Sequence, residues 1–398
     1  MVHQHHKRGE IGFLKQLSSL PRSIKFSAFL AFTYVLGWGL VNAFLPLYYQ
    51  EILGNYSTIG VMMFLYYIFA FCFSFILGGV LDRVKPKRLL MIALLMYVPI
   101  SFVIINMSTT WHFALYVLYH ALASTIWWLA LESYVRVHSP KHKEMISYGL
   151  YDAGIFSSMV IGGVVGGLLI YKLGWNMFYS ISIFAFLALI VLAFMPDRKH
   201  GKVEHELKKI NLALFKGEIK DFLNNKKLKK IYTSMFLMKF CYGFIVLMIP
   251  LFFKEINASF FMIGAVFGLL YLPAIFEPYY ASFQNKKMII LGGILSVIVI
   301  FLIMFFVQSL YALFVLTILV AIPFAMILVI LQGKITRLMP KKKIGEMTAV
   351  LLCVVSLAMG FGPLVAGILA DSFGINSIFL LGAGIFGIMF LFNVKQKF

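Results

Sequence analysis

Residues 39–52 read GLVNAFLPLYYQEI, and residues 243–256 read GFIVLMIPLFFKEI. Gly39, Pro46, Glu51, Ile59 and Gly60 fall on Gly243, Pro250, Glu255, Ile263 and Gly264, each 204 positions further on. Later in the chain Ala114-Leu115 pairs with Ala312-Leu313, Pro140 with Pro340 and Glu144-Met145 with Glu346-Met347, then Gly167 with Gly367 and Gly174 with Gly374. The offset drifts between 198 and 202, as loop insertions cause. Several matches in chain order mark an internal duplication.

What is duplicated is apolar. Of 398 residues 62% are hydrophobic and 13% charged, with a mean hydropathy of +0.93. Ordinary soluble domains carry about 25% charged residues, so a soluble protein is excluded. The 41 Phe and 20 Tyr exclude disorder. A bilayer-spanning helix needs about 20 apolar residues. Twelve such segments lie near 26–48, 57–80, 89–107, 111–133, 145–170, 175–195, 231–253, 259–281, 288–307, 310–332, 347–370 and 375–393. The first follows 25 polar and basic residues and is too long for a signal-peptide core, so it is expected to be retained. The expected fold is all-α and integral to the membrane, with twelve transmembrane helices as two six-helix pseudo-repeats. Its parts are an N-terminal tail (1–25), a first bundle (26–195), a basic linker (196–230), a second bundle (231–393) and a short tail (394–398). Two equivalent halves suit alternating access, each staying rigid while the pair rocks about a central cavity.

Charge fixes the expected orientation. The net charge of +20 would suggest nucleic acid in a soluble protein. Here all but three of the 35 Lys and Arg fall in the tails, the linker and alternate loops, namely 2–3, 4–5, 8–9 and 10–11. The exceptions are Lys172 and Lys254 on the other side and Lys239 within a span. By the positive-inside rule both termini and the linker are cytoplasmic. The expected partners are therefore a bilayer with an anionic inner leaflet and a small-molecule solute, with no nucleic acid, and the chain is expected to act as a monomer in a cell membrane. In the linker, Leu207, Ile210, Leu214, Phe215, Ile219, Phe222 and Leu223 recur at helical spacing between lysines. That suits either an amphipathic helix on the inner leaflet or a solvated basic linker with a little helix. Cys72, Cys241 and Cys353 sit in apolar runs without a CxxC, which argues against a disulfide framework or a zinc site. No metal site is expected; His3, His5 and His6 read as a disordered tail.

The 2–3 loop reads Gly78-Gly79-Val80-Leu81-Asp82-Arg83-Val84-Lys85-Pro86-Lys87-Arg88. With the six-plus-six duplication, this resembles the major facilitator superfamily from about residue 25 onward. Gly78, Asp82, Arg83, Lys87 and Arg88 match the family's loop signature, while Lys85 or Pro86 replaces its second glycine. The resemblance implies a conformational latch in which Asp82, supported by Arg83, caps a span of the other half, and a carboxylate is favoured at a helix N-terminus. A basic topogenic loop is the plainer reading. Gln284-Asn285-Lys286-Lys287 stands in the second half's equivalent loop, so any latch is asymmetric. Glu132 and Arg136 resemble the family's 4–5 loop, and Glu132 could receive Arg83 or be an ordinary interfacial carboxylate. The fifth span holds Gly154, Gly162, Gly163, Gly166 and Gly167; the eleventh holds Gly360, Gly362, Pro363 and Gly367. These glycines are similar to the fifth-span signature of the family's proton-coupled drug exporters, although the proline occurs only in the eleventh span. Close helix packing accounts for them equally well.

Charged groups inside a span mark functional hypotheses. Asp152, Lys239 and Glu277 are expected to converge near the inner gate, since the resemblance places spans five, seven and eight around the cavity. They could close that gate as an ion pair. A buried carboxylate could instead carry the coupling proton, burial favouring its neutral form, or Lys239 could bind an anionic solute. Pairing that merely satisfies buried charge is the structural alternative. His120 is a further proton-site candidate or a satisfied interior histidine. Tyr34, Trp38 and Asn42 recur at four-residue spacing and could contact solute or simply pack. No catalytic constellation and no GxxxxGK[ST] loop occurs. The expected function is rocker-switch secondary transport, not enzymatic, with no cofactor and with protons as the coupling ion, exporting a small amphiphilic solute. Import of a small anionic metabolite is the second expectation, and a membrane sensor or scaffold that moves no solute is the third.

Overall fold

A computed structural model describes residues 18–81, 84–140, 143–196, 226–276, 280, 286–338 and 344–394. The first span is built in two pieces, α1 (Arg22–Asn42) and α2 (Leu45–Leu53). The break falls at Ala43 and Phe44, just before Pro46, which lacks an N–H and sits in the first turn of α2. The second span is α3 (Tyr56–Leu81), and the third is α4 (Pro86–Tyr97) with α5 (Ile100–Ile105), broken at Pro99. Then follow α6 (Thr110–His138), α7 (Glu144–Leu173), a 3-10 turn at Gly174–Phe178 and α8 (Tyr179–Ala193).

The second bundle opens with α9 (Lys226–Glu255), so the seventh span starts before the expected residue 231. Pro250, the counterpart of Pro46, stays inside this continuous helix. The eighth span is described over α10 (Phe260–Leu269) and a 3-10 turn at Leu272–Phe276. The remaining spans are α11 (Lys286–Phe306), α12 (Leu310–Leu338), α13 (Ile344–Phe373) and α14 (Ser377–Val394). Among the described residues ten segments are long and apolar enough to cross a bilayer. One of them, Ile146–Ala193, has 48 residues and at 1.5 Å per residue would reach about 70 Å, twice a hydrocarbon core. Its break at Gly174 makes it two crossings, and the eighth span, described over Phe260–Phe276, completes twelve.

The duplication is visible in the packing. Gly174 and Gly374 both take positive φ (53° and 81°) where the fifth and eleventh spans end. Gly39 packs on the backbone of Ser158 in α7, and its counterpart Gly243 on Met359 in α13. The same correspondence governs the contacts between halves: Gly60 of α3 meets Pro363 of α13, and Gly264 of α10 meets Gly163 of α7. Glycine lets backbones approach where lipid gives helices no hydrophobic reason to associate. Polar side chains add links: Ser182 Oγ donates to Ser101 Oγ (2.7 Å) between the sixth and third spans, and Asn393 Nδ2 to Ser234 Oγ (3.0 Å) between the twelfth and seventh. The first, seventh, fourth and tenth spans are the most enclosed (72, 67, 56 and 50% buried), and so surround the centre.

Candidate functional site: a central cavity in two parts

We call the face bearing Lys85, Arg88 and Lys143 the basic face, and the face bearing Gly54, Gly174 and Gly374 the opposite face. Contacts between the halves run from mid-depth to the opposite face. Phe64 of α3 lies 4.9 Å from Phe361 of α13, Gly163 packs on Gly264, and Gly167 on Phe261. At the opposite rim, Tyr56 Oη donates to Glu255 Oε2 at 2.9 Å. The halves are thus closed together on that face.

Below this closure lies a cavity of about 310 Å³, within the range of small-molecule sites. Tyr34, Trp38 and Asn42 line it from α1 and α2's approach, Tyr66 and Tyr67 from α3, Tyr97 from α4, His120 and Ser124 from α6, and Tyr242 and Tyr271 from the second half. Among the described residues none that line it is Asp, Glu, Lys or Arg. The wall is ordered by stacking and hydrogen bonds. His120 stacks with Trp38 at 4.7 Å, Tyr66 at 5.0 Å and Tyr116 at 5.5 Å. Trp38 Nε1 donates to Tyr34 Oη at 3.0 Å, and Tyr66 Oη to Ser124 Oγ at 2.9 Å. The four-residue stripe of the first span therefore faces the cavity, with Trp38 tied to Tyr34 one turn away.

A second cavity of about 180 Å³ adjoins it. Tyr242, Val246 and Tyr271 line both. The second holds Asp152 from α7, Lys239 from α9 and Gln332 from α12 among apolar side chains such as Phe324 and Leu328. Lys239 Nζ lies 5.0 Å from the centre of the Tyr242 ring, a cation–π distance. Asp152 interacts electrostatically with Lys239 across the halves and with Glu132 in its own half. Glu132 in turn feels Arg136, which also reaches Tyr148. Sequence reasoning assigned Glu132 to the latch; the structure adds it to the Asp152 neighbourhood. Glu277 lies outside the described residues, three positions beyond Ala274, which lines this cavity.

Of the loop signature, Gly78 lies in α3, and Asp82 and Arg83 lie outside the described residues. Arg88 is exposed. Lys87 turns to the sixth span: its Nζ donates to the carbonyls of Ala193 (3.3 Å) and Met195 (2.6 Å). It neutralises carbonyls left unpaired at the end of α8, where positive charge is favoured. Tyr134 Oη donates to Pro196 O at 2.5 Å beside it.

The glycines divide by helix face. Gly154, Gly162 and Gly166 of α7 pack on Ala28, Gly39 and Leu40 of α1, within one half. Gly163 and Gly167 face α10 in the other half. In α13, Gly362 packs on Phe240, while Gly360, Pro363 and Gly367 face α3. Sequence reasoning missed Tyr66, Tyr67, Tyr97, Tyr242 and Tyr271 as cavity residues. Tyr242 alone carried a signal, standing three residues from Lys239 and so on the same helix face.

A twelve-span bundle of two matched halves, closed at one face around a central cavity, is the architecture of a membrane transporter. The chain belongs to the Major Facilitator Superfamily, whose family model matches residues 27–282 and 278–396. No curated protein matches the sequence. Among solved structures, the chain is similar to a mutant of the nucleoside transporter NupG, with 16% identity, a TM-score of 0.76, and coverage of 94% of this chain and 100% of that one. A bacterial homologue of the human lysosomal transporter Spinster, in an inward-facing and unoccupied conformation, gives 13% identity, a TM-score of 0.76 and coverage of 93% and 95%. The human organic anion transporter MFSD10 gives 14%, 0.69, and 94% and 100%. At these identities the likeness is one of fold. The protein is a multi-pass membrane transporter and not an enzyme.

Proposed function

We propose that this transporter exports a small amphiphilic solute with an aromatic or planar apolar part, in exchange for protons, through a cell membrane with both termini in the cytoplasm. The observation that carries the reading is the division of the cavity. Among the described residues the larger part presents aromatic faces, one amide and several hydroxyls without a carboxylate, lysine or arginine, which suits a solute held by stacking and a few hydrogen bonds. The adjoining part holds Asp152 and Lys239, one from each half. A carboxylate that meets a lysine only when the halves approach can exchange that partner for a proton when they separate. Tyr242 and Tyr271 belong to both parts, so solute and coupling groups share a wall.

Export is the direction suggested by the glycine-rich fifth span, although packing of α7 on α1 and α10 explains those glycines. Import of a small organic anion is the second reading, favoured by Lys239. The test is the pH inside sealed vesicles containing the purified protein on addition of a nucleoside, a lipophilic cation or an organic anion. Proton movement with the nucleoside or the cation supports the first reading, and with the anion alone the second. No proton movement together with solute flux would overturn proton coupling.

A further inference from the structure

One set of polar contacts between the halves involves Asp371, a residue that the loop signature does not contain. α3 starts at Tyr56, and the first N–H groups of a helix have no partner within it. Asn55 Oδ1 accepts from Thr58 N at 2.7 Å. The two groups before it are taken by the other half: Tyr56 N donates to Asp371 Oδ1 at 3.1 Å, and Ser57 N to Asp371 Oδ2 at 2.7 Å. Ser57 Oγ donates to the same Oδ2. A carboxylate at the end of α13 therefore caps the start of α3, where the helix dipole favours negative charge.

Gly367 makes the approach possible. It lies one turn before Asp371 on the same helix face, and a Cβ there would sit 2.9 Å from the carbonyl carbon of Tyr56. In the sequence Gly367 and Asp371 are spaced as Gly78 and Asp82 are. α13 runs antiparallel to its neighbour α3, so Asp371 meets the start of that helix. The duplicated seam between α7 and α10 differs. The 200-residue offset of Gly167 and Gly367 places Tyr171 at the position of Asp371, and Tyr171 meets the Phe260 ring at 5.8 Å. One seam is aromatic, and the other is held by a carboxylate.

We propose that Asp371 is a latch for the opposite face, gripping the first turn of α3 while that face is closed and letting go whenever the cavity opens there. The contact joins the two halves and lies within neither, so its loss shifts the balance of conformations and leaves each bundle intact. The inference does not depend on which solute is carried.

The test uses the full chain in nanodiscs, with native cysteines replaced and spin labels on Asn176→Cys and Asn376→Cys, exposed residues on the opposite face of each half. Pulsed electron–electron distances report closure without any solute. Asp371→Asn should raise the population of the long, open distance about threefold or more. Ser57→Ala, which removes one donor to the carboxylate, should move it the same way by less. An unchanged distance distribution in Asp371→Asn overturns the proposal. So does a protein that no longer runs as a single species, because Asp371 would then be needed for the fold itself.

Discussion

Gly163 of α7 and Gly264 of α10 meet across the two halves so closely that a Cβ on Gly163 would lie 2.7 Å from the carbonyl oxygen of Gly264. Neither backbone can retreat without bending its helix. Overpacking of this kind costs about 1–3 kcal/mol. Gly163→Leu is therefore expected to hinder closure of the opposite face and slow solute flux by about tenfold or more. Gly154→Leu, against Ala28 in its own half, should lower the Tm of the protein instead. Wild-type flux in Gly163→Leu would show that the seam does not have to close.

Asp152 and Lys239 share one cavity and come from different halves. Lys239→Ala is expected to abolish solute flux while membrane insertion, read by a fractionated immunoblot, is retained. Removing one member of an enclosed charge pair leaves the other uncompensated, so the double variant Asp152→Asn/Lys239→Gln should be more thermostable than either single variant. Strict additivity of the two single losses would mean that the charges do not interact.

Trp38 and His120 stack at 4.7 Å in the wall of the larger cavity. Stacked aromatic pairs contribute about 0.5–1.5 kcal/mol beyond their area. Trp38→Ala should weaken solute binding, measured by calorimetry on the purified protein, by roughly tenfold. Trp38→Phe keeps a ring but loses the hydrogen bond to Tyr34, and should fall between the two. Equal affinity in all three proteins would place the solute elsewhere.

Lys87 grips the end of the sixth span, whereas the loop signature assigns it to a latch. Its two contacts are to partly exposed carbonyls, so Lys87→Ala should cost about 1 kcal/mol or less of stability, seen as a small fall in Tm. The spin-label distances on the opposite face should stay where they are. A shift in those distances would return Lys87 to the latch.

The number of spans and the duplicated glycines were legible in the sequence because each is a local requirement: apolar length, or a missing Cβ. The equivalence of Gly39 with Gly243 and of Gly60 with Gly264 survives as equivalent contacts. The cavity was only half legible. Tyr34, Trp38 and Asn42 share a helix face, which a four-residue period reveals, but Tyr66, Tyr97 and Tyr271 become neighbours only through packing of different spans. Residue type gives no hint, since 20 tyrosines are scattered through an aromatic-rich chain. Asp371 escaped for another reason. At the end of a span it reads as an ordinary interfacial carboxylate, and only the backbone amides of residues 56 and 57 disclose its use.

Asn55 has a consequence for how readily the molecule can move. Its amide oxygen belongs to the same bundle as the helix it caps, so parting the bundles leaves Thr58 satisfied and α3 wound to its tip. The two amides and the hydroxyl that hold Asp371, with the Tyr56 hydroxyl that holds Glu255, change partner at a rim where water can replace both carboxylates. Separation at that rim is thus an exchange of hydrogen bonds with solvent, reversible at little net enthalpy, and no turn of helix has to be rebuilt on each cycle.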